Sequence, residues 1–141
     1  MANTHSYLAG LGNVASYQAS SRPYLSSSIS VSGNFEVIEI SFPTVTKFIT
    51  VKNIGPTGSN YVDLRVGFSA YGVSGSNYLV LNNQESFSAD WKVSKVYLRI
   101  DSGSALTTAA TINATASVIA GLTGIDSYEL THNWTGSTGV G

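Results

Sequence analysis

The stretch that decides the fold is residues 61–100, YVDLRVGFSAYGVSGSNYLVLNNQESFSADWKVSKVYLRI. Apolar and polar residues alternate in three runs inside it, at 62–69, 86–93 and 95–100. A period of two directs every second side chain to one face of a strand, so each run predicts a strand with one apolar face. Gly72, Gly75 and the pair Asn82-Asn83 supply turn residues between the runs. The stretch therefore predicts an antiparallel meander whose apolar face is covered by a second sheet.

The composition of the whole chain also favours strands. Only 11% of the 141 residues are charged, against roughly a quarter in ordinary globular proteins. Ser, Thr, Asn and Gly take their place, and these residues suit strand faces and tight turns better than helix surfaces. The length fits one domain with a substantial core. We therefore expect a single all-β domain.

Further strands are predicted on both sides of this stretch. The alternation recurs in five segments, 29–31, 35–42, 47–52, 111–122 and 126–130. Pro43 has no N–H to donate and is expected to end or bend a strand. The alanines of 111–122 imply either a close approach of the opposing sheet or large residues, such as Phe87 and Trp91, that fill the space above them. The sequence predicts a single-domain antiparallel β-sandwich or jelly roll of about seven to eight strands over residues 29–131.

The two ends of the chain differ from this pattern. Residues 1–28 contain several aromatic residues but no strand period, because glycines and serines interrupt it. An irregular N-terminal arm lying on a neighbouring surface is one interpretation of 1–28, and a loop packed along its own domain is the other. Residues 132–141 are rich in turn-forming residues and are predicted to be a C-terminal tail, either free or bound to a partner.

Charge and cysteine content exclude several classes of protein. The net charge is −1 and the seven basic residues are scattered, whereas a nucleic-acid-binding protein needs clustered Lys and Arg. The chain has no Cys, which removes disulfides and thiolate chemistry. No apolar run approaches the roughly 18 residues of a membrane-spanning helix, and the N-terminus lacks the pattern of a secretory signal. We expect neither nucleic acid nor a membrane as a partner.

The sequence contains few candidate catalytic residues. His5 and His132 are the two histidines, and neither lies in a metal-binding or catalytic motif. Asp63, Asp90 and Asp101 fall on the polar parity of their predicted strands, as expected for a solvated surface. We expect no enzyme, no cofactor and no metal. A β-sandwich enzyme stays an alternative only if one of the two histidines is buried beside a carboxylate.

Tyrosines are the candidate binding residues within the sandwich. Tyr61, Tyr71, Tyr78 and Tyr97 lie at strand edges or, for Tyr97, on the polar parity. Such residues are common at oligomer interfaces, because tyrosine buries a large area at low entropic cost. They also stack on sugar rings in carbohydrate-binding sandwiches. An oligomer contact and a glycan contact are therefore both open.

Several blocks in order resemble a known group of proteins. The blocks are residues 11–18 (LGNVASYQ), 41–51 (SFPTVTKFITV), 64–69 (LRVGFS), 78–86, 95–98 (KVYL) and 120–125 (AGLTGI). In this order they resemble small structural proteins of marine tailed bacteriophages, especially those of cyanobacterial phages. None of the blocks is a catalytic motif.

The resemblance implies a virion component, and most directly a capsid decoration (cement) protein. Such a protein is made in the host cytoplasm and binds the outer surface of the shell, with the major capsid protein as its partner. It would be a homo-oligomer, a dimer or a trimer. The aromatic residues of the N-terminal arm and its lack of a strand period predict that the arm carries the contact with the shell, through Tyr7, Leu11, Tyr17, Arg22 and Tyr24. The alternative is a glycan-binding or adhesion module of a tail or head fibre.

Overall fold

The computed structural model describes residues 21–31, 36–55, 62–101 and 114–129. This part of the chain contains eight strands: β1 (Arg22–Val31), β2 (Ile38–Ser41), β3 (Thr44–Asn53), β4 (Leu64–Gly67), β5 (Leu79–Leu81), β6 (Ser86–Ala89), β7 (Lys95–Ile100) and β8 (Ala114–Asp126). A short helix, α1 (Ala70–Ser74), follows β4, and a 3₁₀ turn (Ser127–Glu129) follows β8.

The strands form two antiparallel four-stranded sheets. The first sheet has the order β1-β8-β3-β6 and the second has the order β2-β7-β4-β5. The chain crosses between the sheets at every step except from β4 to β5, which pair as neighbours. This is the eight-stranded, double-sheet arrangement of a jelly roll. The predicted all-β sandwich is confirmed.

The core lies between the sheets and follows the alternation in the sequence. In β8, Ala114, Ala116, Val118 and Ala120 are buried, as the period of two predicts. Val51 of β3 and Leu98 of β7 come from the two opposed sheets into the same apolar cluster. Each buried aliphatic side chain of this size contributes roughly 1.5–3 kcal/mol relative to an exposed one. The apolar parity therefore accounts for the packing of the two layers.

The predicted meander over 61–100 is wrong in its pairing. Strand β6 leaves the second sheet and pairs with β3 of the first, with Ser88 opposite Thr50. The turn that redirects the chain is closed by the N–H of Glu85, which donates to the carbonyl of Asn82 at 2.9 Å. The backbone N–H of Asn82 also donates to the Glu85 carboxylate at 2.8 Å. The alternation determines which face of a strand is buried, but it does not determine which other strand pairs with it.

The predicted turn between Gly72 and Gly75 is part of helix α1. Ser69 caps this helix, because its hydroxyl accepts a hydrogen bond from the N–H of Gly72 at 2.9 Å. The helix ends at Ser74, and the N–H of the following residue, Gly75, donates to the carbonyl of Tyr71 at 2.8 Å. The sequence did not predict this helix, because one serine cap before a helix of five residues favours a helix less strongly than the two glycines favour a turn.

The start of the sandwich also differs from the prediction. Strand β1 begins at Arg22 and not at Ile29, so the last seven residues of the predicted arm belong to the first sheet. A β-bulge between Ser26 and Ile29, with Ser28 at a φ of 68°, interrupts the alternation there. Because the bulge shifts the parity by one, the strand period was not visible in the sequence. Residues 1–20 lie outside the described part.

The end of the sandwich contains a smaller error. The short strand predicted for 126–130 is absent from the described residues, since β8 itself continues to Asp126 and a 3₁₀ turn follows. The Ser127 hydroxyl donates to the carbonyl of Phe42 at 2.8 Å, which fixes this turn against the end of β2. The predicted C-terminal tail, 132–141, lies outside the described residues.

Candidate functional site

The outward side of the first sheet is a hydroxyl-rich surface with apolar side chains among the hydroxyls. Since the even-numbered residues of β8 from 114 to 120 are buried, Thr115, Ser117 and Ile119 point outward. The registers of the sheet add the neighbours of these residues on the other strands. We call this surface the hydroxyl face; it comprises Pro23, Leu25, Ser30, Phe48, Thr50, Lys52, Ser86, Ser88, Thr115, Ser117 and Ile119.

The central row of the hydroxyl face crosses all four strands. Leu25 lies opposite Ile119, Ile119 opposite Thr50, and Thr50 opposite Ser88. The hydroxyls of Thr50 and Ser88 are 2.8 Å apart and hydrogen-bonded. Leu25 is 71% exposed and Ile119 is 40% exposed. Two branched aliphatic side chains therefore stand side by side in solvent on a regular sheet.

A glycine extends the apolar part into the next row. Gly121 lies between Pro23 and Phe48 in the register. A Cβ atom at Gly121 would be 2.4 Å from Cε1 of Phe48 and 2.4 Å from the hydroxyl of Ser21. The Phe48 ring thus lies directly over the backbone of β8, in space that any larger residue at position 121 would occupy. Pro23, Leu25, Phe48 and Ile119 form an apolar strip beside the hydroxyls.

The hydroxyl face is almost uncharged. In the row that joins Ser117, Lys52 and Ser86, Lys52 is the one charged residue that the described registers bring to this face. A lysine flanked by hydroxyls can keep its ammonium group hydrated at the rim of a contact. The centre of the face can therefore be covered without removing a charge from water.

The outward side of the second sheet has the opposite character. The residues that alternate with its buried ones include Glu39, Arg65, Lys95, Tyr97 and Arg99, and we call this surface the charged face. Glu39 and Lys95 form an exposed ion pair with 3.1 Å between Oε1 and Nζ. The Ser41 hydroxyl and the Lys95 ammonium group hydrogen-bond the Glu39 carboxylate and lower its pKa. The same bond to Glu39 raises the pKa of Lys95.

Arg65 is the buried charge of this face. Its Nε donates to Oδ1 of Asp101 at 2.8 Å, and its Nη1 donates to the carbonyl of Val73 at 3.3 Å. The guanidinium carbon lies 4.1 Å from the centre of the Tyr78 ring, in a cation–π contact. Helix α1 approaches the sheet at Gly67, where an added Cβ would be 3.0 Å from Cβ of Val73. Arg65 therefore ties α1 and the Tyr78 ring to the second sheet, which is a structural role.

The predicted tyrosines come to this second side of the sandwich in three different environments. Tyr71 stands on α1 and is 67% exposed. The face of the Tyr78 ring packs against the guanidinium group of Arg65. Tyr97 is half-buried on the charged face, where burial and the negative charge of Glu39 raise its pKa. Tyr71 alone of these three has a largely open ring. Tyr61 lies outside the described residues.

The predicted shell contacts are only partly within the described residues. Arg22 is exposed at the start of β1. Tyr24 is half-buried, and its ring packs edge-on against Phe42 with 5.0 Å between the ring centres. Tyr24 therefore contributes to the edge of the core. Tyr7, Leu11 and Tyr17 lie outside the described residues, as do His5 and His132.

Trp91 was assigned to the core by the alternation, but the structure exposes 47% of it. Strand β6 ends at Ala89, so Trp91 lies in the connection to β7. The Thr46 hydroxyl donates to the carbonyl of Trp91 at 2.8 Å and accepts from the N–H of Val93 at 3.0 Å. The indole contacts the rings of Phe68 and Phe87, with centres 5.5 and 5.4 Å away. This rigidly held, half-exposed indole was missed from the sequence.

The described part of the chain contains neither a metal-binding cluster nor a membrane-spanning helix. Within 21–31, 36–55, 62–101 and 114–129, no group of three or more His, Asp or Glu side chains is arranged to hold a metal ion. None of the helices in these ranges has the length and apolar character needed to cross a membrane. Comparison of the chain with protein-family models, curated proteins and solved structures gave no significant match.

Proposed function

We propose that this chain is a non-enzymatic structural protein of a virion, acting as a capsid decoration (cement) protein on the outer surface of the shell. The observation that carries the proposal is the hydroxyl face, a four-stranded surface with an exposed apolar strip and, among the residues in the described registers, a single lysine. The resemblance to structural proteins of tailed phages supplies the virion context. A jelly roll alone would not do so, because the fold serves many functions.

The chemistry of the hydroxyl face supports contact with protein. The centres of protein interfaces are depleted in charged residues, and contiguous exposed apolar patches commonly mark sites of association. Leu25, Phe48 and Ile119 form such a patch. The surrounding hydroxyls can both donate and accept hydrogen bonds, so they can satisfy either kind of polar group on a partner.

The mechanism we propose is mechanical. A decoration protein that binds the assembled major capsid protein, and not its dissociated form, stabilises the shell by mass action. We propose that residues 1–20 and Arg22 make the contact with the shell, through Tyr7, Leu11 and Tyr17. Tyr24 would support this segment from the edge of the core, since its ring packs on Phe42.

Co-sedimentation with shells tests the proposal. Purified full-length chain is mixed with shells that lack it, and the bound fraction is measured for the native sequence and a Tyr7→Ala/Tyr17→Ala double variant. We expect the native chain to sediment with shells and the double variant to bind at least about tenfold more weakly, a loss of about 1.4 kcal/mol. Tyr71→Ala removes an exposed ring on α1, outside the proposed contact, so this variant is the control and should bind normally. Failure of the native chain to bind would contradict the proposal.

Any truncation in this experiment should stop at residue 20. A deletion of 1–28 would remove most of β1, which pairs with β8 along its length, and the loss of binding would then reflect loss of the first sheet. A deletion of 2–20 leaves β1 complete.

A second candidate function is favoured by Trp91. Its indole is half-exposed, held by two neighbouring rings and by the hydrogen bonds of Thr46, as a platform for a sugar ring requires. Asp90 and Lys92 beside it are exposed. A glycan-binding module of a tail or head fibre would bind on a glycan array and lose that binding in Trp91→Ala. Absence of binding to every glycan would exclude this candidate.

A further inference from the structure

We infer that the hydroxyl face binds a second copy of this chain, giving a twofold-symmetric dimer in which two first sheets pack face to face. This inference rests on the proposed function only in treating the face as a protein contact, and it names the occupant. The tyrosines of the other side, which the sequence suggested for an oligomer contact, are not part of this surface.

Charge is the first argument for a second copy. In the described registers the face presents one lysine among hydroxyl and apolar side chains, so it offers a single counter-charge to an acidic partner and none to a basic one. Another copy presents the same nearly neutral surface, and the net charge of −1 leaves little repulsion between whole chains. In a dimer, each hydroxyl face therefore contacts a surface with the same low charge.

The arrangement of the rows is the second argument. A twofold axis along the central row brings Ile119 onto Ile119 and Thr50 onto Thr50 of the two copies. Phe48 and Lys52 lie two residues on either side of Thr50 in β3, so the same axis sets each Lys52 over the Phe48 ring of the other copy. A lysine over an aromatic face is attractive. The face is thus complementary to itself.

The area of the face is the third argument. Four strands about 4.8 Å apart are about 19 Å wide, and the strands of this sheet average about nine residues, or about 30 Å, which gives about 570 Å² per copy. Two copies would bury about 1,100 Å², near the lower limit for specific interfaces. We therefore expect a dimer that forms at high concentration and dissociates on dilution.

Cross-linking tests the location of the contact. The chain contains no cysteine, so a single introduced thiol reports on one position. Ile119→Cys and Val80→Cys form a matched pair, because both native side chains are 40% exposed and lie on opposite sides of the sandwich. Facing sheets are about 10 Å apart, too far for a direct disulfide, so a short bismaleimide is used. We expect a covalent dimer from Ile119→Cys at several times the yield from Val80→Cys. Equal yields would overturn the inference.

Sedimentation velocity over a dilution series tests the association itself. The native chain should shift from dimer to monomer on dilution, Ile119→Lys should stay monomeric, and Val80→Lys should behave as the native chain. Circular dichroism of each variant verifies that it is folded. A dimer that persists in Ile119→Lys would overturn the inference, and so would a native chain that is monomeric at every concentration.

Shell binding separates this inference from the proposed function. If the native chain dimerises as expected but does not sediment with shells, the inference holds and the decoration role fails. If it is always monomeric and Ile119→Lys abolishes shell binding, the hydroxyl face binds the shell, so the inference fails and the decoration role stands. If it is monomeric and does not bind shells, both fail.

Discussion

Replacing Arg65 by alanine should destabilise the fold far more than its position on an outward face suggests. Arg65 is buried with its partner Asp101, and it also bonds the carbonyl of Val73 and packs on the Tyr78 ring. All three interactions are lost together in Arg65→Ala. The carboxylate of Asp101 is then left in a largely buried position without its guanidinium group.

The expected cost follows from these contacts. A charge-assisted hydrogen bond contributes roughly 1.5–3 kcal/mol and a neutral one roughly 0.5–1.5 kcal/mol, and a cation–π contact adds roughly 0.5–1 kcal/mol. Removal of one partner from a buried pair costs roughly 3–5 kcal/mol. We expect a loss of about 3 kcal/mol in the free energy of unfolding, at the lower end because the pair is not fully buried. At roughly 2.1 cal/mol/K per residue, this lowers Tm by about 10 °C.

Chemical denaturation of Arg65→Ala and Lys95→Ala provides the measurement and its control. Lys95 belongs to the exposed ion pair with Glu39 on the same face, and such pairs contribute at most about 1 kcal/mol. If the two variants lower the unfolding free energy equally, the structural role assigned to Arg65 is wrong. A double-mutant cycle with Asp101→Ala should give a coupling energy of about 1–3 kcal/mol.

Three further substitutions are expected to have specific effects on the stability of the fold. Gly121→Ala should cost about 1–2 kcal/mol, measured by urea unfolding, because the new methyl group displaces the Phe48 ring; an unchanged midpoint would contradict this packing. Thr46→Val, which removes a hydroxyl that both donates and accepts, should cost about 1–3 kcal/mol and change Trp91 fluorescence; unaltered fluorescence would argue against the anchoring role. Because the folded state lowers the pKa of Glu39, its stabilising effect is present above the unfolded pKa and disappears as pH falls through the folded one. Glu39→Gln should therefore remove a few tenths of a kcal/mol of acid-dependent stability, seen by comparing unfolding at about pH 6 and about pH 3; an identical pH dependence in both proteins would exclude this contribution.

The class of fold could be predicted because the alternation of apolar and polar residues corresponds directly to the alternation of buried and exposed side chains in a strand. Ala116, Val118 and Leu98 occupy the core that their parity predicts. The pairing of strands could not be predicted, because a strand such as β6 has the same alternation whichever sheet it joins. Its attachment to β3 depends on the turn at 82–85 and on side chains far away in the sequence. The period also failed at the β1 bulge, where one extra residue reverses the parity.

The candidate surfaces were harder to predict than the fold. Tyr97 was correctly assigned to an outward face, since its parity is opposite to that of Leu98. The exposure of Ile119 could have been predicted, because this apolar residue has the same parity as the polar residues Thr115 and Ser117. Its meaning depended on Leu25, which lies opposite it only after β1 and β8 have paired. Trp91 was misassigned because alternation continued beyond the end of β6.

The order of strands in the first sheet has a consequence for how the chain folds. Strand β8, at the end of the described part of the chain, lies between β1 and β3, so β1 has no partner in this sheet and β3 has only β6 until β8 has been synthesised. Among the strand pairs of the described residues, only β4–β5 is local in sequence. Loops that long are slow to close, and all-β domains with such distant pairings fold in roughly milliseconds to seconds. We expect β1 to stay unpaired, and β3 to keep one unpaired edge, until β8 leaves the ribosome and completes the first sheet.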